Sequence, residues 1–355
     1  MIPLTIDCGP DSRGRVTAES PGFRYCGGVS RYFEYFYWAN PAFSKPRLLF
    51  GRMKLMNRIL STLIVLLTAS SALSEDKQVI PLWGESEPPY AKPHSIKEYQ
   101  DDNCWGNVAC IHQVVTPTLT LYLPDAEPNG TVVVILPGGG YEVVAVYHEG
   151  YEIAELLAGQ GTVAAVLKYR LPNPETSTEP WRVMEVDVRR ALQRLRSEQS
   201  TFGFSATKFG VMGFSASGHL AASVSVHRTA EPDENPDFSI LVYGVTIMNA
   251  LNREWLEQTL YHRPMTDDEV AYQTLLEHVD ETTPPAFLAH AFDDDVVPYR
   301  ESTAYAEALQ RHGVAAEMHL FARGGHGFGP GRDEDGTGQW VNLAADWLDR
   351  LASGR

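Results

Sequence analysis

One stretch decides the fold of this chain: VMGFSASGHL, residues 211–220. An apolar run at 208–212 leads into the serine at position 215, and small residues that favour a helix follow it at 220–224. Strand, sharp turn and helix around a serine are typical of a nucleophile elbow, in which a strained turn presents the serine hydroxyl above a parallel sheet. The stretch therefore predicts a parallel sheet with a reactive serine at the carboxyl end of one strand.

Two serines lie in this stretch, and the size of their neighbours separates them. An elbow needs small residues two positions before and after its serine, because a side chain there would collide with the adjacent strand or helix. Ser215 has Gly213 and Ser217 at these positions, whereas Ser217 would have an imidazole, His219, at one of them. Ser215 is thus the predicted nucleophile, although the usual pattern has glycine where this chain has Ser217. A helix N-terminus rich in glycine and serine is the alternative interpretation.

Composition and charge limit the classes of function. The chain has 355 residues, of which 44% are apolar and 21% charged, which suits one large domain with additional segments. Residues 1–74 hold nine Lys/Arg and four Asp/Glu, so residues 75–355 hold 20 basic and 41 acidic residues, a net charge of −21. Such an acidic domain repels polyanions, so nucleic acid is not an expected partner.

The end of the first 74 residues has the pattern of an export signal. A basic start at 53–58 precedes an apolar run at 59–69, and the small residues Ala72 and Ser74 follow. This is the order of a secretory signal peptide. The apolar run is too short for a stable membrane span, which takes about 20 apolar residues.

We therefore expect a signal peptide at 53–74 that starts at Met53, and a secreted or periplasmic domain at 75–355. Residues 1–52 have no clear period and are interpreted as a mis-annotated or disordered leader. A membrane-anchored form with residues 1–52 in the cytoplasm is the alternative.

Cysteine spacing leaves one question open. Cleavage after the signal peptide would leave Cys104 and Cys110, which form either a small disulfide loop in an exported protein or two free thiols. Two cysteines six residues apart make no metal site, and no other cluster has ligand spacing. Neither a metal nor an organic cofactor is predicted.

Strands and helices alternate along most of the chain. Residues 75–112 are predicted to be loop-like, and residues 246–284 to form a small cap over the carboxyl edge of the sheet. Strands are predicted at 113–123, 131–136, 163–168, 208–212, 238–245, 285–290 and 315–321. Helices are predicted at 148–159, 184–195, 299–312 and 339–351. The alternation predicts an α/β fold with a doubly wound, mostly parallel sheet, whose site lies at the carboxyl ends of the strands.

Three loops at this edge carry candidate residues. The glycine loop, residues 137–141, follows a buried strand, and its bare backbone N–H groups let a ligand approach closely. An elbow serine also needs a histidine to take its proton and a carboxylate to orient the ring, in the chain order Ser, Asp/Glu, His. The aspartate loop, 292–298, has three consecutive aspartates, and the histidine loop, 322–329, has His326 between glycines. The spacing alone does not choose among the aspartates.

The other histidines are predicted to be structural or to lie on the surface. His148 and His219 are near glycine-rich stretches and are the two of most interest.

Taken together, these motifs resemble the α/β-hydrolase superfamily and, within it, secreted carbohydrate esterases of the acetylxylan esterase-like type. The resemblance covers most of residues 80–352. It is carried by motifs in the same order, at 116–120, 137–141, 148–150, 167–171, 210–216, 284–298 and 324–329.

The resemblance implies a role for each motif. Ser215 would be the nucleophile and His326 the base. The family's acid stands just before x-Val-Val-Pro, which selects Asp294, with Asp295 as x. The departure at Ser217 affects the packing of the elbow rather than the triad.

The oxyanion hole of the family uses the glycine-rich loop and the residue after the serine. These positions correspond to Gly139, Gly140 and Ala216. Tyr141, at the end of the glycine loop, is the candidate for contact with substrate.

The implied activity is hydrolysis of carboxylic esters through an acyl-enzyme, with acetyl groups on xylan-type plant polysaccharide as the expected substrate. A secreted serine peptidase of the same fold is one alternative, although residues 75–112 are too few for a gating domain. A non-catalytic carbohydrate-binding homologue is another, although the Ser, Asp and His are intact. No stable membrane span is expected after signal cleavage, and the oligomeric state is open.

Overall fold

The structure is a computed structural model that describes residues 77–106, 108–124 and 126–354. The predicted leader and signal peptide lie outside these residues. The strands are β1 (Gln78–Pro81), β2 (Tyr99–Asp101), β3 (Cys110–His112), β4 (Thr118–Tyr122), β5 (Thr131–Leu136), β6 (Val143–Val144), β7 (Val163–Lys168), β8 (Lys208–Phe214), β9 (Phe238–Val242), β10 (Ala286–Ala291) and β11 (Ala316–Phe321). The helices are α1 (Glu152–Ala158), α2 (Val183–Ser197), α3 (Gln199–Phe202), α4 (Ala216–Val226), α5 (Ala250–Leu256), α6 (Asp267–Gln273), α7 (Arg300–Arg311) and α8 (Trp340–Ser353). None of the helices in these ranges combines the length and the hydropathy that a bilayer crossing requires.

Within the described residues, eight strands form the main sheet in the order β1-β4-β7-β5-β8-β9-β10-β11. The pairs β1–β4 and β4–β7 are antiparallel, and the remaining five pairs are parallel. The central strands β5, β9 and β10 are buried along their whole length, as expected for parallel strands covered on both faces. The predicted doubly wound, mostly parallel sheet is confirmed.

Most of the strands and helices predicted from the sequence begin and end within two residues of the observed ones, with three exceptions. The strand predicted at 113–123 starts only at Thr118, directly after Pro117, which cannot donate to a ladder. The helix predicted at 148–159 begins with a π-helical turn, Tyr147–Tyr151, before α1. The strand predicted at 238–245 ends at Val242, where the backbone turns and Tyr243 has a positive φ.

The prediction of a loop over residues 75–112 is wrong in part. Strand β1 lies at the edge of the main sheet, and β2 and β3 join β6 in a second, antiparallel sheet in the order β2-β3-β6, called the small sheet below. These strands have three or four residues, and most of their side chains are not buried. Segments this short carry no readable alternation of polar and apolar residues.

Candidate active site

The predicted elbow lies where β8 ends and α4 begins. Ser215 has φ 52° and ψ −122°, a conformation that L-residues rarely adopt. A Cβ at Gly213 would overlap the carbonyl oxygen of Ser217, and a Cβ at Gly218 would overlap the backbone of Gly244, which follows β9. The glycines therefore let α4 approach the sheet closely enough to hold Ser215 in a strained turn.

Ser217, where the usual pattern has glycine, is accommodated by hydrogen bonds. Its side chain is fully buried, and its hydroxyl donates to the carbonyl oxygen of Pro137 at 2.7 Å. The hydroxyl of Tyr169 lies 2.6 Å from both the Ser217 hydroxyl and the same carbonyl oxygen. The serine thus links the elbow to the start of the glycine loop.

The structure brings the three predicted triad residues together. The Ser215 hydroxyl lies 2.8 Å from His326 Nε2, and His326 Nδ1 lies 2.8 Å from Asp294 Oδ2. A neutral ring with its proton on Nδ1 donates to the carboxylate and accepts from the serine. This geometry suits removal of the serine proton by the ring.

Asp294 is held as a carboxylate by donors on both of its oxygens. The backbone N–H groups of Val296 and Val297 donate to Oδ1 at 3.0 and 2.8 Å, and His290 Nε2 lies 3.2 Å from Oδ2. Burial by itself raises the pKa of Asp294, but the hydrogen bonds from His290, His326 and Val297 outweigh it and hold the pKa below its usual range. The carboxylate is therefore ionised and fixed in orientation.

His290, on β10, is a second buried histidine against this carboxylate, and its tautomer is set by its neighbours. Its Nε2 faces two acceptors, Asp294 Oδ2 and the carbonyl oxygen of Val297, while Nδ1 lies 2.8 Å from the Ser302 hydroxyl. Nε2 must carry the proton, and the Ser302 hydroxyl donates to Nδ1. His290 therefore positions Asp294 through Oδ2, the same oxygen that faces His326.

The neighbouring aspartates have other environments. Asp293 accepts a hydrogen bond from the Gly325 N–H at 2.8 Å and so joins the aspartate loop to the histidine loop. Asp295 is exposed and lines the cavity in front of Ser215. Of the three, Asp294 is the one that contacts His326.

The glycine loop is fixed through its carbonyl groups. Gly138 O accepts from the Ala145 N–H at 3.0 Å, Gly139 O accepts from two N–H groups at 3.0 Å, and Gly140 O accepts from Trp255 Nε1 at 3.1 Å. These bonds fix the backbone of the loop beside Ser215. The N–H of Ala216, the first residue of α4, has no partner within its own helix.

A buried carboxylate, Glu149, connects the glycine loop to the histidine loop. Glu149 Oε2 accepts from the Gly138 N–H at 2.7 Å, and Oε1 accepts from the Tyr243 hydroxyl at 2.8 Å. The same hydroxyl accepts from the Gly329 N–H at 3.0 Å. Burial raises the pKa of Glu149, although the bonds from Tyr243 and Gly138 act in the opposite direction.

We expect Glu149→Ala to lower the free energy of unfolding by about 2–4 kcal/mol, because it leaves two buried donors without an acceptor. Loss of kcat should accompany the loss of stability, since both loops beside Ser215 are released. Urea unfolding and turnover of 4-nitrophenyl acetate measure the two effects.

Glu149→Gln is the matched control. The glutamine oxygen accepts from the Gly138 N–H, and its amide can donate to the Tyr243 oxygen, so the variant should lie between the wild type and Glu149→Ala. Equal stability of Glu149→Ala and the wild type would contradict this role.

Tyr141, the predicted substrate contact at the end of the glycine loop, is buried. Its side chain is only 2% exposed, its hydroxyl lies 2.8 Å from His219 Nδ1, and its ring stacks on Trp255 with centroids 5.1 Å apart. Burial of this kind argues against direct contact with substrate. We interpret Tyr141 and His219 as supports of the loop.

The triad opens into a cavity of about 510 Å³, a size common for small-molecule sites. The residues that line it come from the three loops, the elbow, the segment after β6, the π-helical turn and the loop between β2 and β3: Trp105, Val108, Gly139, Gly140, Ala145, His148, Glu149, Ser215, Asp295, Val296, His326 and Gly327.

Cys104 and Cys110 are joined by a disulfide, which answers the question left open by their spacing. Together with His112 they form the one group in the described ranges whose ligand atoms are close enough for a metal ion. Because both sulfurs are engaged in the disulfide, they are not available as thiolate ligands.

Two residues of the site were missed at the sequence level. From the sequence, His290 is predicted to be structural or to lie on the surface, but in the fold it contacts Asp294. Its place at the end of a predicted strand, four residues before that aspartate, is the signal in the sequence for this contact. Glu149 lies in the motif at 148–150, whose residues indicate no chemistry by themselves. Nothing in its spacing shows that it meets Tyr243.

Comparison with known proteins places this geometry among esterases. A model of the BD-FAE family matches residues 119–309, more than half of the chain. The chain is similar to an acetylxylan esterase of Xylanibacter ruminicola, with 32% identity over 66% of this chain and 48% of that protein. It is also similar to an endo-1,4-beta-xylanase B of Butyrivibrio fibrisolvens, with 30% identity over 61% of this chain and 35% of that protein. The chain thus spans half or less of the length of these curated relatives.

Solved structures give the same result. The acetyl ester-xyloside bifunctional hydrolase from Caldicellulosiruptor lactoaceticus has a TM-score of 0.63 and 29% identity, covering 79% of this chain and 98% of that one. The esterase Est2 from Thermogutta terrifontis has a TM-score of 0.55 and 26% identity, covering 67% of this chain and 90% of that one. The predicted α/β-hydrolase fold and the resemblance to esterases are confirmed.

Proposed function

This chain belongs to the BD-FAE family, and we propose that it is a serine carboxylic-ester hydrolase that removes acetyl groups from xylan-type polysaccharide. The observation that carries the proposal is the unbroken set of contacts from Ser215 through His326 to Asp294 at the wall of an open cavity. The names of the similar proteins, which include an acetylxylan esterase and an acetyl ester-xyloside hydrolase, favour acetylated saccharide as the substrate.

The first half of the reaction forms the acyl-enzyme. Ser215 Oγ attacks the ester carbonyl carbon while His326 Nε2 removes the hydroxyl proton, and Asp294 stabilises the imidazolium that results. The tetrahedral intermediate then collapses, and the imidazolium returns the proton to the departing sugar oxygen. In the second half, water attacks the acyl-enzyme with His326 again as the base, and acetate leaves.

The oxyanion that forms in both halves needs fixed donors. The N–H groups of Gly139, Gly140 and Ala216 are proposed to supply them, because the glycine loop and the start of α4 both border Ser215. One donor of this kind is typically worth about 10²–10³ in kcat.

We also propose roles for the N-terminal segment, the hydrolase domain and the segment before β10. We propose export by the signal peptide at 53–74, with 75–355 as the secreted or periplasmic hydrolase domain. The disulfide supports this, since such bonds persist in oxidising compartments. Residues 246–284 are proposed as a cap, supported by the bond from Trp255 to the glycine loop.

Acetate release tests the proposal. The purified chain is offered 4-nitrophenyl acetate, 4-nitrophenyl octanoate and acetylated xylan, and we expect acetate from the first and the last. Turnover of small esters alone would leave a general esterase. Cleavage of a chromogenic peptide without acetate release would favour the peptidase alternative, and binding of acetylated xylan without release would favour the non-catalytic homologue.

A further inference from the structure

The disulfide closes a loop, called the disulfide loop below, of which the structure describes residues 104–106 and 108–110. This loop carries a tryptophan to the edge of the active-site cavity. Trp105 is 54% exposed and lines the same cavity as Ser215 and His326, as does Val108. Most tryptophans bury the indole, so an exposed one at the mouth of a cavity points to a partner that covers it.

The disulfide loop is tied to the catalytic loops by the small sheet. Strand β3 begins at Cys110 and pairs with β6 through Ile111–Val144 and His112–Val143. Strand β6 begins three residues after the glycine loop's Gly140, whose N–H is a proposed oxyanion donor. The small sheet therefore fixes the position of Trp105 relative to the glycine loop, beside which the ester would react.

The loop is also held internally. Besides the disulfide, the Cys104 N–H donates to the Val108 carbonyl oxygen at 2.9 Å, and the Val108 N–H donates to the Trp105 carbonyl oxygen at 3.3 Å. A backbone restrained in this way lowers the entropy that the tryptophan would lose on meeting a ligand.

A second apolar residue, Val296 of the aspartate loop, lines the cavity and is 66% exposed. Beside it is the exposed carboxylate of Asp295. An indole and a valine offer apolar contact, and the carboxylate accepts hydrogen bonds from hydroxyl groups. A sugar ring fits these groups, because its C–H face can contact the indole and the valine while its hydroxyl groups donate to the carboxylate.

We propose that Trp105 is the platform on which the sugar ring of the ester substrate stacks, and that the Cys104–Cys110 disulfide holds it there. The inference rests on the proposed function and deepens it, because it assigns recognition of the sugar to the disulfide loop. A small aryl acetate needs no such platform. The loop therefore determines specificity between esters rather than the chemistry at Ser215.

The test compares Trp105→Ala with the wild type on two substrates. We expect kcat/KM for acetylated xylo-oligosaccharide to fall by about tenfold or more, the size of a lost ring stack, and kcat/KM for 4-nitrophenyl acetate to stay within about twofold. Trp105→Phe should retain part of the oligosaccharide activity. The matched control is Tyr99→Ala, which removes an aromatic of similar exposure, 52%, from the small sheet outside the cavity.

Binding gives a readout that does not require turnover. Calorimetric titration with xylo-oligosaccharide compares the inactive variant Ser215→Ala with the double variant Ser215→Ala/Trp105→Ala. We expect the Kd of the double variant to be higher by about tenfold or more. The double variant Cys104→Ser/Cys110→Ser should also lose affinity for the oligosaccharide, but less than Trp105→Ala does. In this variant the indole is still present, but the disulfide no longer holds its loop in place.

Each outcome decides one point. An equal fall on both substrates, or no fall on the oligosaccharide together with an unchanged Kd, would overturn the platform. A wild type that binds the oligosaccharide through Trp105 yet releases no acetate would overturn the proposed function and leave the platform standing.

Discussion

Ser215→Ala is expected to lower kcat on 4-nitrophenyl acetate by about 10⁴–10⁶ and to leave KM nearly unchanged. Alanine has no hydroxyl to attack the carbonyl, so acyl transfer through the enzyme stops. The cavity and its proposed oxyanion donors remain, which accounts for residual activity above that of water. Steady-state kinetics with a purified, folded variant measures the effect.

The fold should survive this change, because the side chain contributes little to the elbow beyond one hydrogen bond to His326. The backbone strain at φ 52° remains in the alanine variant. Ser215→Gly relieves that strain, so it should be equally inactive but more stable than Ser215→Ala by about 1–2 kcal/mol in urea unfolding. Equal stability of the two variants would show that the turn stores no strain.

Ser217→Ala is the matched control for the identity of the nucleophile. The Ser217 hydroxyl donates to the Pro137 carbonyl oxygen, whereas the hydroxyl on His326 Nε2 is that of Ser215. The Tyr169 hydroxyl also donates to the Pro137 carbonyl oxygen, so this acceptor stays satisfied without Ser217. We expect kcat within about threefold of the wild type. The assignment of Ser215 would fail if Ser217→Ala, and not Ser215→Ala, abolished turnover.

The sequence was sufficient for the central strands of the main sheet, because they are apolar and alternate with helices, but not for the short edge strand β1. Strand β7 is observed at the predicted residues, 163–168, and β8 extends the prediction at 208–212 by two residues. The small sheet escaped prediction for a physical reason. Its strands are stabilised by pairing partners distant in the chain, such as β3 with β6, and pairing between distant segments leaves no local pattern.

The residues of the candidate site also fall into two groups, those that a local motif indicates and those that only the folded structure brings to the site. Ser215 and His326 follow strands in motifs with fixed spacing, so the sequence could indicate them, whereas Asp294 is selected among three aspartates only by the family resemblance. Glu149 and His290 act through contacts with other elements, and these contacts depend on how the loops fold over the sheet. Tyr141 is a candidate that the sequence suggests and its burial disfavours. Its place at the end of the glycine loop does not determine the direction of its ring, which packs on Trp255.

Asp294→Asn is expected to lower kcat by about 10⁴, even though it replaces one atom. The two N–H groups on one side of residue 294, from Val296 and Val297, require an acceptor there. The amide oxygen of asparagine must take that side, so its NH₂ group faces His290 and His326. His326 then keeps its proton on Nε2 and accepts at Nδ1, which is the tautomer that cannot take a proton from Ser215.

The same change alters how stability depends on pH. The pKa of Asp294 in the fold lies below its usual range, so the ionised carboxylate stabilises the wild type fully above the unfolded-state pKa of about 3.9. That contribution is lost as pH falls from there toward the folded pKa, whereas asparagine does not titrate. The difference in free energy of unfolding between the wild type and Asp294→Asn should therefore be largest near neutral pH and shrink in acid.

Two measurements separate the roles of Asp294. Kinetics on 4-nitrophenyl acetate at about pH 7 gives the loss of kcat, and urea unfolding at about pH 7 and about pH 3 gives the change in stability. Asp293→Asn is the control, since Asp293 contacts the Gly325 N–H through an oxygen that asparagine keeps. Near-normal turnover by Asp294→Asn with a large loss in Asp293→Asn would transfer the orienting role to Asp293, because only the residue that fixes the His326 tautomer is sensitive to an amide.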